Sequence, residues 1–478
     1  MDEQTTPNSK GASSRRRGEI CTLKHVETKG PMSICPVFDG RSAPYPTLGL
    51  LKVAEMAAQK HGNLVLLLLG GDKEVYLATG QQSVLCWHEQ TLRFPAEFGN
   101  LTSNTKAMDL LLGSGANAES EVTLVLRRRR AALERDLEGW FDTTLEHATA
   151  TLIDEALKPA SDLRKLCRLW SVRAVCHTIF GTALPDAEMA EGLLQIEEFY
   201  TVMNSTADLG TDVPQNLRQT RAFLDRVLRE NMAVAQPSDQ TMLACLLAVL
   251  PDDLGQEARL DHLRPILFGM IDETLSIDGM NLLWALIHLA QSPDLVHTIA
   301  DEADRSAMPG EHAPIVVPLA LSVAKETQRL YPQLPFIQRR VSESIRFGEQ
   351  SIPAGAAVLF APWLVHRDEG SWADPTRFDG RRFLAIDTVP LPFCNTPEGR
   401  EQDRFIQRHV AVAIRSVCIS LRFALAPESL PGNLRPILRS ILEPRGHVDI
   451  RWSSRSVGVK RTKTTFSSQR QDEEEIAW

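Results

Sequence analysis

The chain has 478 residues, of which 43% are hydrophobic and 24% are charged, a composition that is ordinary for a soluble globular protein. Its formal net charge of −9 gives no general attraction to nucleic acid or to an anionic membrane surface, so neither is an expected partner. The eight cysteines include no CxxC pair, which argues against a disulfide framework and against a zinc site. We therefore expect a reducing, cytoplasmic setting.

The two ends of the chain are polar and flank one long globular region. Residues 1–30 lack the apolar run of a signal peptide and the roughly 20 apolar residues of a membrane anchor. Residues 456–478 are polar and mixed in charge, which is typical of segments that stay unfolded. We predict a disordered tail over 1–30, one domain over 36–455, a polar tail over 456–478, and no membrane anchor.

The globular region opens with a helix and two short strands. A proline-rich entry after Pro36 leads into a helical pattern that ends at Gly62. The apolar runs NLVLLLLG and EVYLATG then flank Gly70-Gly71-Asp72, a sequence typical of the turn in a β-hairpin. We predict one helix followed by an antiparallel pair of strands.

Helical patterns dominate the middle of the chain. Asn117 to Phe141 is strongly helical and carries Arg127 to Arg130. These arginines fit either a basic docking patch for a partner or a solvated helix face with one or two structural ion pairs. Residues 146–248 alternate amphipathic helices with breaks at prolines. The apolar pattern of residues 260–294 predicts one long helix that ends at Ser292-Pro293.

Two polar features of these helical patterns are candidates for function. Glu273-Thr274 interrupts the long apolar helix, and a glutamate buried there suggests a catalytic acid or base. A nearby arginine or backbone group would satisfy the same glutamate without any function. Glu326 and Arg329 lie three residues apart and therefore on one face of a helix.

Ordered motifs in the second half of the chain resemble the cytochrome P-450 superfamily. They are E-x-x-R at 326–329, IPAG at 352–355, DPTRF at 374–378, RRFL at 381–384 and LPF at 391–393. With the regions around them, the resemblance covers residues 36–452 and implies a mainly α fold with small β-sheets. It also implies that Arg382 joins Glu326 and Arg329 in a buried structural network, because bidentate guanidinium–carboxylate contacts can hold a helix against a coil.

The resemblance is weakest in Leu391 to Ala413, where the family binds haem through the pattern F-x-x-G-x-R-x-C-x-G. When the pattern is aligned with the sequence without a gap, Phe393 occupies its first position. Pro397 occupies a position at which the family often has proline. Arg404-Phe405 then opens the following helix. The remaining four positions depart from the family.

Each departure weakens a haem site of the family type. Arg400 replaces the cysteine whose thiolate binds the iron, and a guanidinium that stays protonated offers no lone pair. Glu398 replaces a cation and would repel a haem propionate. Thr396 and Gln402 replace glycines that permit positive φ and close approach to a ligand. We predict that no cofactor is bound, with haem expected only if another residue such as Cys394 ligates the iron.

Other haem contacts of the family are also altered. Thr123 and Leu124 stand where the family has propionate-binding side chains. Arg339 or Arg340 fits either the last propionate contact or a plain strand-edge arginine. The acid and threonine that relay protons in the family would fall at Ser276-Ile277, three residues beyond Glu273-Thr274.

Two classes of function follow from the resemblance. The first is a non-oxidative auxiliary protein of a secondary-metabolite pathway, similar to haem-free proteins of this fold that activate a glycosyltransferase or another pathway enzyme. The second is an enzyme with a small-molecule ligand in the pocket. It is either a monooxygenase with atypical haem ligation, or a haem-free cyclase or isomerase that uses Glu273 as general acid or base.

Overall fold

The computed structural model describes most of the chain between Cys35 and Arg455. The described residues are 35–40, 45–69, 73–94, 121–136, 138–159, 162–181, 192, 215–236, 239, 241–273, 279–306, 316–386, 397–429, 431–438 and 441–455. The tails predicted over 1–30 and 456–478 lie outside these residues. In the described part of the chain, no helix combines the length and the apolar character needed to cross a membrane.

Helices account for most of the described chain, as the sequence predicted. In order they are α1 (Tyr45–His61), α2 (Gly80–Gln90), α3 (Glu121–Asp136), α4 (Glu138–Ala156), α5 (Leu163–Phe180), α6 (Gln215–Val234), α7 (Met242–Leu247), α8 (Gln256–Glu273), α9 (Gly279–Ala290), α10 (Pro293–Ser306), α11 (Pro318–Leu330), α12 (Pro362–Val365) and α13 (Pro397–Ser420). The mainly α fold with small sheets is confirmed.

The strands form one larger sheet and several short antiparallel pairs. In order they are β1 (Val37–Asp39), β2 (Leu64–Leu69), β3 (Lys73–Ala78), β4 (Ile337–Arg340), β5 (Ile345–Phe347), β6 (Gln350–Ile352), β7 (Ala357–Phe360), β8 (Leu421–Leu425), β9 (Pro436–Leu438), β10 (Leu442–Pro444) and β11 (Ile450–Ser454). The larger sheet has the order β1-β2-β3-β7-β4, so the start of the chain pairs with strands that follow α11.

The predicted helix and hairpin near the start of the chain are confirmed. The α1 helix ends at His61, and Gly62 follows with φ +88°, a conformation that suits glycine after a helix. The Gly62 N–H donates to the Ala58 carbonyl at 2.8 Å. Strands β2 and β3 then pair antiparallel, with Leu64 opposite Ala78.

The long helix predicted over 260–294 is described in two parts. The first, α8, begins four residues earlier than predicted and ends at Glu273, and α9 begins at Gly279; 274–278 lie outside the described residues, so the continuity of the helix stays a prediction. The predicted end at Ser292-Pro293 agrees with the structure, because α9 ends at Ala290 and α10 begins at Pro293. At Gly279 a Cβ atom would lie 2.9 Å from Ser171 Oγ and 3.1 Å from the Cys167 carbonyl oxygen. Glycine at 279 therefore allows α9 to approach α5 closely.

The largest buried cluster surrounds α9 and α11 and includes residues of α4, α5 and α13. The Trp284 and Tyr331 rings stack with their centres 3.9 Å apart, and Trp284 Nε1 donates to the Leu442 carbonyl at 3.0 Å. In the same cluster, Trp170 Nε1 donates to Thr149 Oγ1 at 2.9 Å. Both indoles therefore keep a hydrogen-bond acceptor inside the core, which makes their complete burial favourable.

His288 extends the aromatic stack from α9. Its Nε2 lies 2.9 Å from the Tyr331 hydroxyl, and its ring stacks on Phe378 at 4.1 Å between centres. Burial lowers the pKa of His288 to about 4 and raises the pKa of Tyr331 to about 12. Both side chains are therefore neutral near pH 7 and joined by an uncharged hydrogen bond.

We predict that the free energy of unfolding decreases as the pH falls from about 6.5 toward 4. His288 gains a proton near its ordinary pKa of about 6.5 in the unfolded chain, but only near about 4 in the folded protein. The unfolded state thus binds more protons in this window, and folding loses about 1.4 kcal/mol per unit of pKa difference. Urea unfolding across this pH range measures how the free energy of unfolding changes with pH. His288→Gln, which keeps a partner for Tyr331 and does not titrate, should reduce this dependence, and the part that remains includes that of His366, whose pKa is also lowered, to about 3. A pH dependence equal to that of the wild type would contradict the assignment to His288.

Candidate functional site

Glu326 and Arg329 form a buried ion pair on one face of α11. Both side chains are 0% exposed. Arg329 Nε lies 2.7 Å from Glu326 Oε2, and Arg329 Nη2 lies 2.8 Å from Glu326 Oε1. The guanidinium therefore meets the carboxylate in the bidentate geometry that gives the strongest charged hydrogen bonds.

Arg382, from a short 3-10 turn, contacts the same carboxylate. Its Nε lies 3.1 Å from each oxygen of Glu326. Arg329 Nη1 also donates to the carbonyls of His366 at 2.6 Å and Pro375 at 2.8 Å. The structure thus brings together the three residues that the sequence placed in one network. The network joins α11 to the coil that follows α12.

Another guanidinium, that of the half-buried Arg367, lies beside this network, and the sequence analysis missed it. The Arg367 guanidinium carbon lies 3.3 Å from the centre of the Trp363 ring, and its Nη2 donates to the Leu330 carbonyl at 2.6 Å. Trp363 Nε1 in turn donates to Glu55 Oε1 at 3.1 Å. Burial lowers the pKa of Arg367 to about 9 and, with the charges of the neighbouring arginines, lowers that of His366 to about 3. The one signal in the sequence was a His-Arg pair directly after an apolar segment.

The helix α13 begins earlier than the sequence predicted. It starts at Pro397 rather than at Arg404-Phe405, so the backbone of Arg400 lies in its first turn. Proline suits a first helical position because its missing N–H would be unpaired there, and the acidic Glu398 suits the positive end of the helix dipole. Residues 391–396 lie outside the described residues, as do the side chains at 397–403. The predicted roles of these residues therefore stay predictions.

The interior of α13 packs against its neighbours. Gln407 Nε2 donates to Gln328 Oε1 of α11 at 2.6 Å, and both side chains are buried. The His409 ring is buried and lies 3.7 Å, centre to centre, from the Phe405 ring. Cys418 is buried near the other end of the helix, and burial raises the pKa of its thiol, so it stays protonated.

The candidate acid and threonine fall at the edge of the described chain. Glu273 is the last residue of α8 and its side chain is outside the described part, as is all of Thr274. The structure therefore leaves the predicted pair untested. Among the described residues, no group of three or more His, Cys, Asp or Glu side chains is arranged to hold a metal ion.

The described part of the arginine run on α3 is not uniformly exposed. Arg128 is exposed, whereas Arg129 and Arg130 are half-buried, and Leu124 one turn earlier is half-buried too. The side chains of Thr123 and Arg127 lie outside the described part. Both interpretations of the run, a docking patch and a solvated face with one or two structural ion pairs, stay predictions.

The two arginines of β4 are engaged by neighbouring groups. Arg340 is exposed on the edge strand of the larger sheet, and its Nη1 donates to the Gly355 carbonyl at 2.9 Å. The Arg339 guanidinium carbon lies 5.2 Å from the centre of the Trp87 ring, and Nη1 donates to the Gln338 carbonyl at 2.8 Å. Arg340 thus has the contacts of a strand-edge arginine.

Comparison with known proteins places this geometry in a family. The family model described as Cytochrome P-450 matches residues 46–398, and the match ends two residues before Arg400. A flavonoid 3'-monooxygenase of Crocosmia x crocosmiiflora is 30% identical over 174 residues, which are 35% of this chain and 34% of that protein. Human mitochondrial sterol 26-hydroxylase is 26% identical over 333 residues, or 62% of each chain. The chain therefore spans about a third of the first of these relatives and less than two thirds of the second.

Solved structures share the fold at low sequence identity. A zebra fish cytochrome P-450 solved with abiraterone has a TM-score of 0.68 and 18% identity, over 86% of this chain and 100% of that one. A cyanobacterial protein solved with retinoic acid also has a TM-score of 0.68, with 16% identity, over 88% of this chain and 100% of that one. At this identity the likeness establishes the fold.

Glu326→Gln should lower the free energy of unfolding by about 3–5 kcal/mol, because it leaves two buried guanidiniums without their counter-charge. Urea unfolding followed by circular dichroism measures the change. The matched control is Glu343→Gln, which removes an exposed carboxylate 3.7 Å from Arg93 and should cost less than about 1 kcal/mol. Similar losses in both variants would show that the buried network does not hold α11 in place.

Proposed function

The chain belongs to the cytochrome P-450 family, and we propose that it is a member that does not use haem–thiolate chemistry. We propose that it acts in a biosynthetic pathway as a non-oxidative auxiliary protein. In this role it binds and activates a partner enzyme, for which a glycosyltransferase is the first candidate.

The observation that carries this proposal is the set of donor groups along α13. From 395 to 417 the sequence contains no cysteine, and Cys418 lies in the helical core with its thiol protonated. The first turns of α13 instead carry Glu398, Arg400 and Gln402. A guanidinium cannot donate a lone pair to iron, and a carboxylate repels a haem propionate. The residues of this helix therefore do not fit a haem held by a thiolate, and no oxidative step is assigned to them.

An auxiliary role needs a stable fold rather than a reactive centre. The buried contacts of Glu326 hold α11 and the coil after α12 together without reference to any cofactor. The surface of a protein with such a fold can bind one conformation of a partner enzyme more tightly than another. This binding increases the population of the preferred conformation. The choice of a glycosyltransferase rests on analogy with haem-free proteins of the same fold.

A monooxygenase with another thiolate ligand is the second candidate, and the start of α13 favours it. Because the helix begins at Pro397, Cys394 precedes its amino end by three residues in the sequence. A helix amino end stabilises a nearby thiolate and lowers the pKa of a cysteine placed there. The relatives are themselves a monooxygenase and a hydroxylase by name. In this case Cys394 would hold the haem, which would supply oxygen activation.

We predict that the protein, expressed with a haem precursor and purified at full length, is colourless and folded. The absorption spectrum, recorded reduced and with carbon monoxide, should lack the Soret band of a thiolate-bound haem, because the donors on α13 do not bind iron. A stoichiometric thiolate-type band in the wild-type protein, lost in Cys394→Ala, would instead establish the second candidate.

Two cysteine variants serve as matched controls for this spectrum. Arg400→Cys returns a thiol to the position that the family pattern assigns to the ligand, and it should gain haem. Arg404→Cys places a thiol one helical turn further along α13, at an exposed position, and should not gain haem. Equal haem uptake by both variants would indicate adventitious binding.

We further predict that the purified protein raises the turnover of a glycosyltransferase from the same biosynthetic locus by about tenfold or more. This corresponds to a change of about 1.4 kcal/mol in the free-energy difference between the partner's inactive and active states. The rate of sugar transfer is measured with increasing amounts of the protein. The increase should saturate at a fixed stoichiometry, and heat-denatured protein should give none. A partner with full activity alone would refute the auxiliary role.

A further inference from the structure

A cleft of about 510 Å³ opens where β3, β4 and β7 meet the turn between β6 and β7. Its walls include Glu74 and Tyr76 of β3, Arg340 of β4 and the segment 353–357. A volume of this size is typical of pockets that bind small molecules. None of these residues takes part in the buried network around Glu326 or belongs to α13, so the cleft is separate from the site described above.

The pleat of β3 places Glu74 and Tyr76 together. They stand two residues apart on one strand and therefore on the same face of it. The alternate residues Val75 and Leu77 are buried in the core beside α1. Glu74 is exposed and Tyr76 is half-buried, so a carboxylate and a phenol line the cleft next to each other.

Neither polar group is hydrogen-bonded in the described part of the chain. Among these residues, none donates to the Glu74 carboxylate or forms an ion pair with it, and none bonds to the Tyr76 hydroxyl. Burial raises the pKa of Tyr76, and the ionised forms of Cys35 and Glu74 raise it further. Burial also raises the pKa of the Cys35 thiol, so the thiol and the phenol are both neutral near pH 7. The carboxylate of Glu74 is therefore the charge that acts on the phenol.

Arg340 brings positive charge to the same cleft. Its Nη1 donates to the Gly355 carbonyl at 2.9 Å, which holds the guanidinium against the turn between β6 and β7. The charge of Arg340 repels a cation in the cleft, whereas the charge of Glu74 attracts one. Removing one charge or the other should therefore change the affinity for a cation in opposite directions.

The segment 353–357 leaves room for a ligand because its side chains are small. Ala354 is exposed, and Ala356 and Ala357 are half-buried. Gly355 has φ +80°, a left-handed conformation that favours glycine. Apart from its chain neighbours, no heavy atom lies within 4 Å of the position that a Cβ would take there. Open space therefore adjoins the backbone of this turn.

We propose that this cleft binds a small organic cation, a protonated primary amine. The ammonium group donates to the Glu74 carboxylate, which has no other cation paired with it among the described residues. The Tyr76 side chain adds a hydroxyl oxygen as acceptor and a ring face that attracts cations. The organic part of the ligand occupies the space beside Ala354 and Gly355. This binding does not depend on whether the protein holds haem or activates a partner enzyme.

Calorimetric titration of the full-length protein with benzylamine, which is protonated at neutral pH, tests the site. Benzyl alcohol has the same carbon skeleton without the charge and should bind about fivefold more weakly or less. Glu74→Gln should weaken the binding of benzylamine by about fivefold, because the lost attraction acts at an exposed carboxylate. Arg340→Gln removes a repulsion and should strengthen binding by about twofold. Ala354→Trp fills the cleft from an exposed position and should abolish binding.

Glu349→Gln is the matched control, since it removes an exposed carboxylate from the turn between β5 and β6, outside the cleft, and should change the affinity by less than about twofold. Circular dichroism checks that each variant folds; if Ala354→Trp does not, Tyr76→Phe, which removes only the hydroxyl, should weaken binding by about twofold.

Three results overturn the proposal. The first is the absence of binding at millimolar benzylamine, or equal affinities for the amine and the alcohol. The second is a loss in Glu74→Gln no larger than that in Glu349→Gln. The third is binding that survives in folded Ala354→Trp, which would place the amine elsewhere, for example on a haem iron. None of these results depends on the haem spectrum or on partner turnover.

Discussion

The carboxylate of Glu326 is the contact on which the rest of the structure depends. Two guanidiniums, from Arg329 and Arg382, share its two oxygens in a site that is closed to water. Removing such a carboxylate leaves buried positive charge, so the arrangement is held as a unit. Because Arg329 also binds carbonyls of the coil after α12, one side chain fixes a helix and a long irregular segment together.

This constraint is separate from the chemistry that the family performs. The network and the aromatic stack of Trp284, Tyr331 and His288 lie on α9, α11 and the following coil, and α13 is joined to α11 through Gln407 and Gln328. None of these contacts is made by a side chain of the amino end of α13. A chain can therefore keep the fold of a cytochrome P-450 while the residues that would bind iron change, which is the condition that a non-oxidative role requires.

The sequence predicted those parts whose interactions are local or carried by a motif. The hairpin of β2 and β3 follows from two apolar runs around a glycine turn, and the helix with Glu326 and Arg329 follows from their spacing. It did not predict the stack of Arg367 on Trp363, because a cation on an aromatic ring inside a protein has no periodic signature. The close approach of α9 to α5 at Gly279 was not predicted, because it depends on the neighbouring helix.

Two arginine–carboxylate systems among the described residues differ in how exposed they are to solvent. The side chains of Arg329 and Arg382 around Glu326 are at most 8% exposed, so water and salt screen these contacts little. Between α6 and α8, Arg221 and Arg264 pair with Asp225 and Asp261, and Asp261 is 63% exposed and Arg221 30%, so part of this attraction is screened by water and ions. The ion pairs therefore hold α11 and its coil more firmly than they hold α6 to α8. A rearrangement of the described helices is expected to cost less between α6 and α8 than around Glu326, because the contacts there are weaker.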